Sequence, residues 1–155
     1  RLIMAGDMQG ICRRLLCVAS EDVGLAYPQA VVITKACVDS ALQLGFPEAR
    51  LPLAEATIFL AQCPKSDSAY AAINKALEDL KYLDVGDIPY YLKDGHSQSQ
   101  TSKTARSEYK YPHAYKDHYV EQQYLPDNIK DKKYYIPSEN KIEKSYEEYW
   151  KKIRG

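Results

Sequence analysis

Three groups of residues in this 155-residue chain could carry chemistry. The first is Ser20, Glu21 and Asp22, inside "ASEDVGLAYPQA", which runs from Ala19 to Ala30 directly after an apolar stretch. Adjacent carboxylates suit acid–base work or a hard cation. Against that, neighbouring side chains on a helix point apart, and no histidine lies near them in the sequence. Gly24 can take a tight turn and Pro28 can restart a helix, so a corner between two helices accounts for the same residues. The second group is His113 and His118, with Asp117 between them. A zinc ion wants three or four ligands, and the cysteines lie in distant segments, so surface or tyrosine-packed histidines are expected. His96, beside a polar stretch, gives no signal. The third group is "EYKYPHAYKDHY", Glu108 to Tyr119, where aromatics alternate with lysines as in single-strand nucleic-acid binders. Its alternative is an arm whose tyrosines pack on a core, since Glu108 and Asp117 dilute the positive charge. No phosphate loop, dinucleotide fingerprint or H-E-x-x-H pattern occurs. The residues therefore assign no catalytic, cofactor-binding or metal-ligating position, and describe a non-catalytic module suited to assembly.

The elements that must position these residues are mostly helical up to Val85. Asp7 is a suitable N-cap for a helix from Met8 to Ala19 that Ser20 would end, with Ile11, Leu15, Leu16 and Val18 on its apolar face. Pro28 suits the first turn of a second helix reaching about Leu44, and Gly45 stands where a left-handed C′ residue is wanted. Pro52 can start a third helix, "PLAEATIFLAQC", apolar on most sides. Ser66 can cap a fourth, whose Tyr70, Ile73, Leu77 and Leu80 form a stripe at steps of three and four. Four such helices describe an all-α bundle with a sizeable core. The opening "RLIMAGDM" reads as the end of a helix already in progress, so the chain is expected to be a piece of a longer protein.

Beyond Val85 the composition shifts. Eleven of the 14 tyrosines and the single tryptophan lie in 86–155, with prolines at 89, 112, 126 and 137. "HSQSQTSKTARSE", His96 to Glu108, cannot build a core and is expected to be a mobile loop. The tyrosine- and proline-rich segments after it suggest an extended arm pinned by aromatic rings with their hydroxyls in water. A last helix is expected from about Glu139 to Ile153, with Ile142, Tyr146, Tyr149, Trp150 and Ile153 on one face.

Charge excludes some classes. The chain has 21 basic and 21 acidic residues, and residues 1–85 and 86–155 differ little, at −2 and +2. Neither half has the positive field that non-specific DNA binding needs. Cys12, Cys17, Cys37 and Cys63 share no C-x-x-C spacing and fall in apolar helical stretches, so buried free thiols in a reducing compartment are expected. No apolar run approaches the roughly 20 residues of a membrane span, which fits a soluble, cytosolic protein.

Several ordered blocks resemble one family. "RRLLCVASEDVGLAYPQA", "PEARLPLAEATIFLAQCPKSDSAYAAINKALEDL", "YKYPHAY" and "YVEQQYLPD" are similar to the C-terminal region of the replication-associated recombination ATPases. These are the bacterial RarA/MgsA type, related to the eukaryotic Werner-helicase-interacting ATPase. The resemblance implies residues 1–10 as the end of the preceding lid region. It implies residues 11–85 as a helical oligomerisation core comparable to a clamp-loader collar, and 86–155 as a tyrosine-rich arm and last helix on the same domain. It further implies a homotetrameric AAA+ ATPase of the clamp-loader clade acting at stalled forks. ATP and magnesium would sit in N-terminal domains outside this chain, and single-strand-binding protein and DNA would be partners of the full-length protein. Two departures stand out. The family's corner usually reads "ADP", whereas Ala26-Tyr27-Pro28 stands here, which removes an N-cap worth ~1 kcal/mol. Between Asp94 and Tyr109 the family's glycine- and histidine-bearing loop is replaced by a different sequence.

Overall fold

A computed structural model describes residues 1–93 and 109–155. The expected loop from His96 to Glu108, and the divergent segment after Asp94, lie outside the described residues. The described chain is all-α, with five α-helices and short 3₁₀ turns. These are α1 (Met8–Val18), α2 (Ala30–Leu44), α3 (Arg50–Gln62), α4 (Ser68–Tyr82) and α5 (Lys141–Arg154). The chain divides into two compact units. One comprises 1–74 and 135–150, the other 75–134 and 151–155.

In the first unit α2 packs against α1 and α3. The core is built from small and branched residues, among them Cys12, Leu15, Val23, Val38, Leu53 and Leu60. Alanines at 30, 41, 49 and 56 are fully buried, which lets the helices approach closely. Asp7 caps α1 as expected, its Oδ1 accepting from the Gly10 N–H at 2.8 Å. Gly45 ends α2 with φ +68°, and its N–H donates to Ala41 O. Lys65 Nζ donates to the Leu60 and Cys63 carbonyls at the end of α3, so a cation meets carbonyl groups the helix leaves unpaired.

Arg1–Gly6 forms hydrogen-bonded turns, in one of which the Ala5 N–H donates to Arg1 O at 3.0 Å. Some expectations about the helices fail in informative ways. Ser20 does not end α1. The helix runs on as a π-helical turn, Ala19–Val23, and breaks only at Gly24. α2 begins after Pro28 and has no side-chain cap. Tyr27, where the family's aspartate would stand, turns its ring edge-on to Phe59 at 5.9 Å and packs on the core. Apolar contact thus replaces the cap. Of the four thiols expected to be buried, Cys12 and Cys37 are, Cys63 is half-buried and Cys17 is exposed. Cys17 Sγ reaches Glu21 Oε2 at 3.1 Å.

The second unit holds an irregular arm, pinned by polar tips more than by rings. Tyr91 donates its hydroxyl to Gln123 O at 2.6 Å, and Asn128 Nδ2 donates to Asp84 O at 2.8 Å. Asp79 on α4 accepts from Lys132 Nζ at 2.8 Å and from the Tyr134 hydroxyl at 2.9 Å. The Lys132 hydrogen bond is the main reason the Asp79 carboxyl is held below the usual carboxylate range, with Tyr134 adding to it against the effect of burial. Tyr91 and Tyr134 thus place their hydroxyls on fixed acceptors, where water had been expected.

Candidate self-association surface

α4 illustrates how a periodic pattern can be right and its environment wrong. Tyr70, Ile73, Leu77 and Leu80 do recur along one helix, as the spacing requires. They are nevertheless 48, 54, 55 and 62% exposed. The residues of α4 that are buried are polar, Ser68 and Asp79. The expected stripe is therefore an uncovered apolar strip on a regular helix. Val31, Val32, Leu51 and Ile58 on α2 and α3 are likewise exposed. Scattered apolar residues on a surface are ordinary, but four in helical register are the pattern of a helix that meets another element.

α5 repeats the inversion. Tyr146, Tyr149 and Trp150, expected on one apolar face, are all exposed. Glu143 is instead fully buried. Its Oε1 accepts from Ser66 Oγ and from Asn140 Nδ2 at 2.7 Å. Its Oε2 accepts from the Tyr135 hydroxyl at 2.7 Å and the Ser138 N–H at 3.1 Å. Asn140 in turn accepts the Glu143 N–H at 3.0 Å. Asn140-x-x-Glu143 is a capping pair at the start of α5, a signal present in the sequence and missed there. Burial pushes the Glu143 carboxyl up, but the bonds from Ser66, Tyr135, Ser138 and Asn140 outweigh it and hold it at about 2. Burial, followed by the neighbouring Glu143 carboxylate, pushes the Tyr135 hydroxyl up to about 12. Ser66 caps the start of α4 as expected, its Oγ accepting from the Ser68 N–H at 3.4 Å, and it also ties distant segments: its N–H donates to Asp22 O at 2.8 Å and its hydroxyl to Glu143.

The other candidates separate. Ser20 is exposed, the Glu21 side chain accepts from Cys17, and Asp22 uses its backbone carbonyl to hold Ser66. Among the described residues no hydrogen bond joins the three side chains to one another. His113 and His118 do come together, with ring centroids 4.9 Å apart, and Tyr111 lies 5.3 Å from His113. Among the described residues no three His, Cys, Asp or Glu side chains gather as a metal site would require. His96 lies outside the described residues.

A family model described as "MgsA AAA+ ATPase C terminal" matches residues 1–154. The chain belongs to this family. It is 47% identical over 154 residues to the replication-associated recombination protein A of Bacillus subtilis, covering 99% of this chain and 37% of that protein. The protein of the same name in Escherichia coli K12 is 33% identical over 145 residues, covering 92% of this chain and 32% of its own length. The ATPase WRNIP1 of Dictyostelium discoideum is 29% identical over 126 residues, covering 81% of this chain and 14% of that protein. The chain thus spans about a third of the bacterial relatives. It corresponds to the C-terminal part of an AAA+ ATPase family associated with replication-linked recombination. Among the described residues no helix is long and apolar enough to cross a membrane.

Proposed function

We propose that this chain is the self-association module of an AAA+ ATPase, joining four copies into a homotetramer and itself performing no catalysis. The carrying observation is the uncovered stripe of Tyr70, Ile73, Leu77 and Leu80 on α4. A closed symmetric oligomer covers such a stripe with the same surface of a second copy, because isologous interfaces are self-complementary. In this reading ATP and magnesium are held by the ATPase domains of the parent protein. DNA and single-strand-binding protein are met by the full-length protein, at replication forks in the bacterial cytoplasm.

The test is the solution mass of the chain by light scattering across a dilution series. A species near four times 17.7 kDa is expected. Leu77 is 55% exposed. Half of a leucine's burial is worth about 1 kcal/mol in each copy, and a charge in its place adds desolvation. Leu77→Glu should therefore raise the dissociation constant at least about tenfold. A wild-type chain that stays monomeric at every concentration would overturn the proposal.

One observation favours a second reading, a contact with single-stranded DNA. Tyr111, His113 and His118 form a short exposed cluster of rings tilted by 47° and 50° to one another, with Lys110 and Lys116 adjacent in sequence. Asp117 and His118 hold successive left-handed φ values of 55° and 53°. Such backbone is costly for residues other than glycine, and it turns His118 back onto His113. Flat rings flanked by lysines suit unpaired bases and phosphates.

A further inference from the structure

His113 and His118 lie in the second unit, on the short 3₁₀ turns Pro112–Ala114 and Lys116–His118. Both residues are exposed, and their ring centroids stand 4.9 Å apart with the planes tilted by 50°. The backbone brings them together. Asp117 and His118 hold successive left-handed φ values, and the His118 N–H closes the turn onto Tyr115 O at 3.1 Å. Packing on a core does not account for that strain, because Ala114 to His118 are all exposed. Strained backbone of this kind gathers at sites that bind something.

We propose that the two imidazoles are a chelating pair for a divalent transition ion, zinc or nickel, in an open site whose other positions take water. The spacing carries the proposal. Metal–nitrogen bonds of about 2.0–2.1 Å put an ion about 3.2 Å from each ring centroid, and at ligand angles of about 90–109° the centroids then stand about 4.5–5.2 Å apart. The observed 4.9 Å lies inside that range. The second dihedral of histidine is soft, so a nitrogen of each exposed ring can turn to the shared point without disturbing a packed neighbour. Imidazole selects zinc, nickel or copper, whereas magnesium and calcium take oxygen. The Asp117 carboxylate does not gather with the two rings as a third ligand. Two protein ligands fall short of a closed structural zinc site, so the ion is exchangeable and the fold does not depend on it. The proposal needs neither self-association nor contact with DNA.

Calorimetric titration of the metal-free chain with zinc chloride tests it, repeated with nickel and magnesium. One zinc per chain is expected, with a dissociation constant below about 0.1 mM. Nickel should bind likewise and magnesium should give no heat. His113→Ala and His118→Ala should each raise the constant at least about tenfold, since losing even an outer partner of a ligand costs about 10–100-fold. Both positions are exposed, so the fold is retained. Cys17 on α1 is an exposed thiol that could take the same ions, and Cys17→Ser should leave the constant unchanged. Zinc uptake that neither ring variant weakens, or that Cys17→Ser abolishes, would overturn the proposal. Weakening in only one ring variant would also overturn it, as binding by a single imidazole. So would a titration still unsaturated at about 1 mM, which marks adventitious binding only.

Discussion

Replacing Glu143 with glutamine should cost this domain about 3 kcal/mol at neutral pH. The carboxylate accepts four hydrogen bonds, two on each oxygen, and is fully buried. Glutamine keeps the shape but turns an amide nitrogen toward two of those donors. On either side one hydroxyl, of Ser66 or Tyr135, can turn to accept from the amide, while one N–H, of Asn140 or Ser138, is left facing a donor. One charge-assisted bond, worth about 1.5–3 kcal/mol, is lost and the others weaken to neutral ones, so the loss falls at about 3 kcal/mol. The ionisation behaviour agrees in size. The carboxyl is held at about 2 against an ordinary 4.5, which corresponds to about 3 kcal/mol. Because the folded value lies below the unfolded one, this stability is present above about pH 5 and is lost as pH falls toward 2. Thermal unfolding of both proteins at a series of pH values reads this directly. At pH 7 the variant should melt about 6–12 °C lower, and the gap should close through the acid range. A gap under about 2 °C at pH 7, or one that does not narrow below pH 4, would refute the reasoning.

Two further perturbations follow from the same geometry. Gly24 sits at φ +48°, ψ −131°, and a Cβ there would lie 2.6 Å from the Ser66 carbonyl oxygen. Gly24→Ala should therefore destabilise by about 2–5 kcal/mol in urea unfolding, because Ser66 is pinned by Asp22 and Glu143 and cannot retreat. If the ring cluster takes unpaired bases, Tyr111→Ala should weaken binding of an oligothymidine by about 1–3 kcal/mol in a fluorescence titration at low salt. Binding that the wild type never shows would end that reading.

The helical framework was legible because its signals are local. Asp7, Gly45 and the step-three, step-four recurrence in α4 each act within a few residues of where they stand. The environment of those helices was not legible, because it depends on partners far along the chain. Glu143 drew no reading in the sequence, and only Ser66, 77 residues earlier, together with Tyr135, Ser138 and Asn140, turns it into a buried anchor. Its one local trace was the Asn140-x-x-Glu143 spacing. The stripe on α4 was legible as a stripe only, because periodicity reports that a face is apolar, never what covers it. Cys17 failed for a related reason. An apolar neighbourhood in sequence does not fix which side of α1 a residue occupies, and this one faces out beside Glu21.

The gaps at Glu143 and on α4 share one physical cause, and it bears on function. A helix normally docks by burying its apolar face, which removes that face from further use. Here the start of α5 is fastened by a carboxylate with four donors, while Tyr146, Tyr149 and Trp150 stay exposed. On α4, likewise, Ser68 and Asp79 are buried and Tyr70, Ile73, Leu77 and Leu80 face outward. Directional polar bonds specify where these helices sit and leave apolar area exposed. A buried carboxylate together with its donors gives little net stability over a fully apolar cluster of the same shape. Its gain is that one geometry satisfies it and neighbouring ones do not. The proposed self-association would draw on that combination, a fixed frame and exposed apolar surface. Glu143→Gln, which keeps the shape and costs about 3 kcal/mol, should then separate the two roles. The chain should stay folded by circular dichroism, and self-association should weaken as α5 loses its set position. Undiminished self-association in that variant would show that the carboxylate does not help to position the surface that assembles.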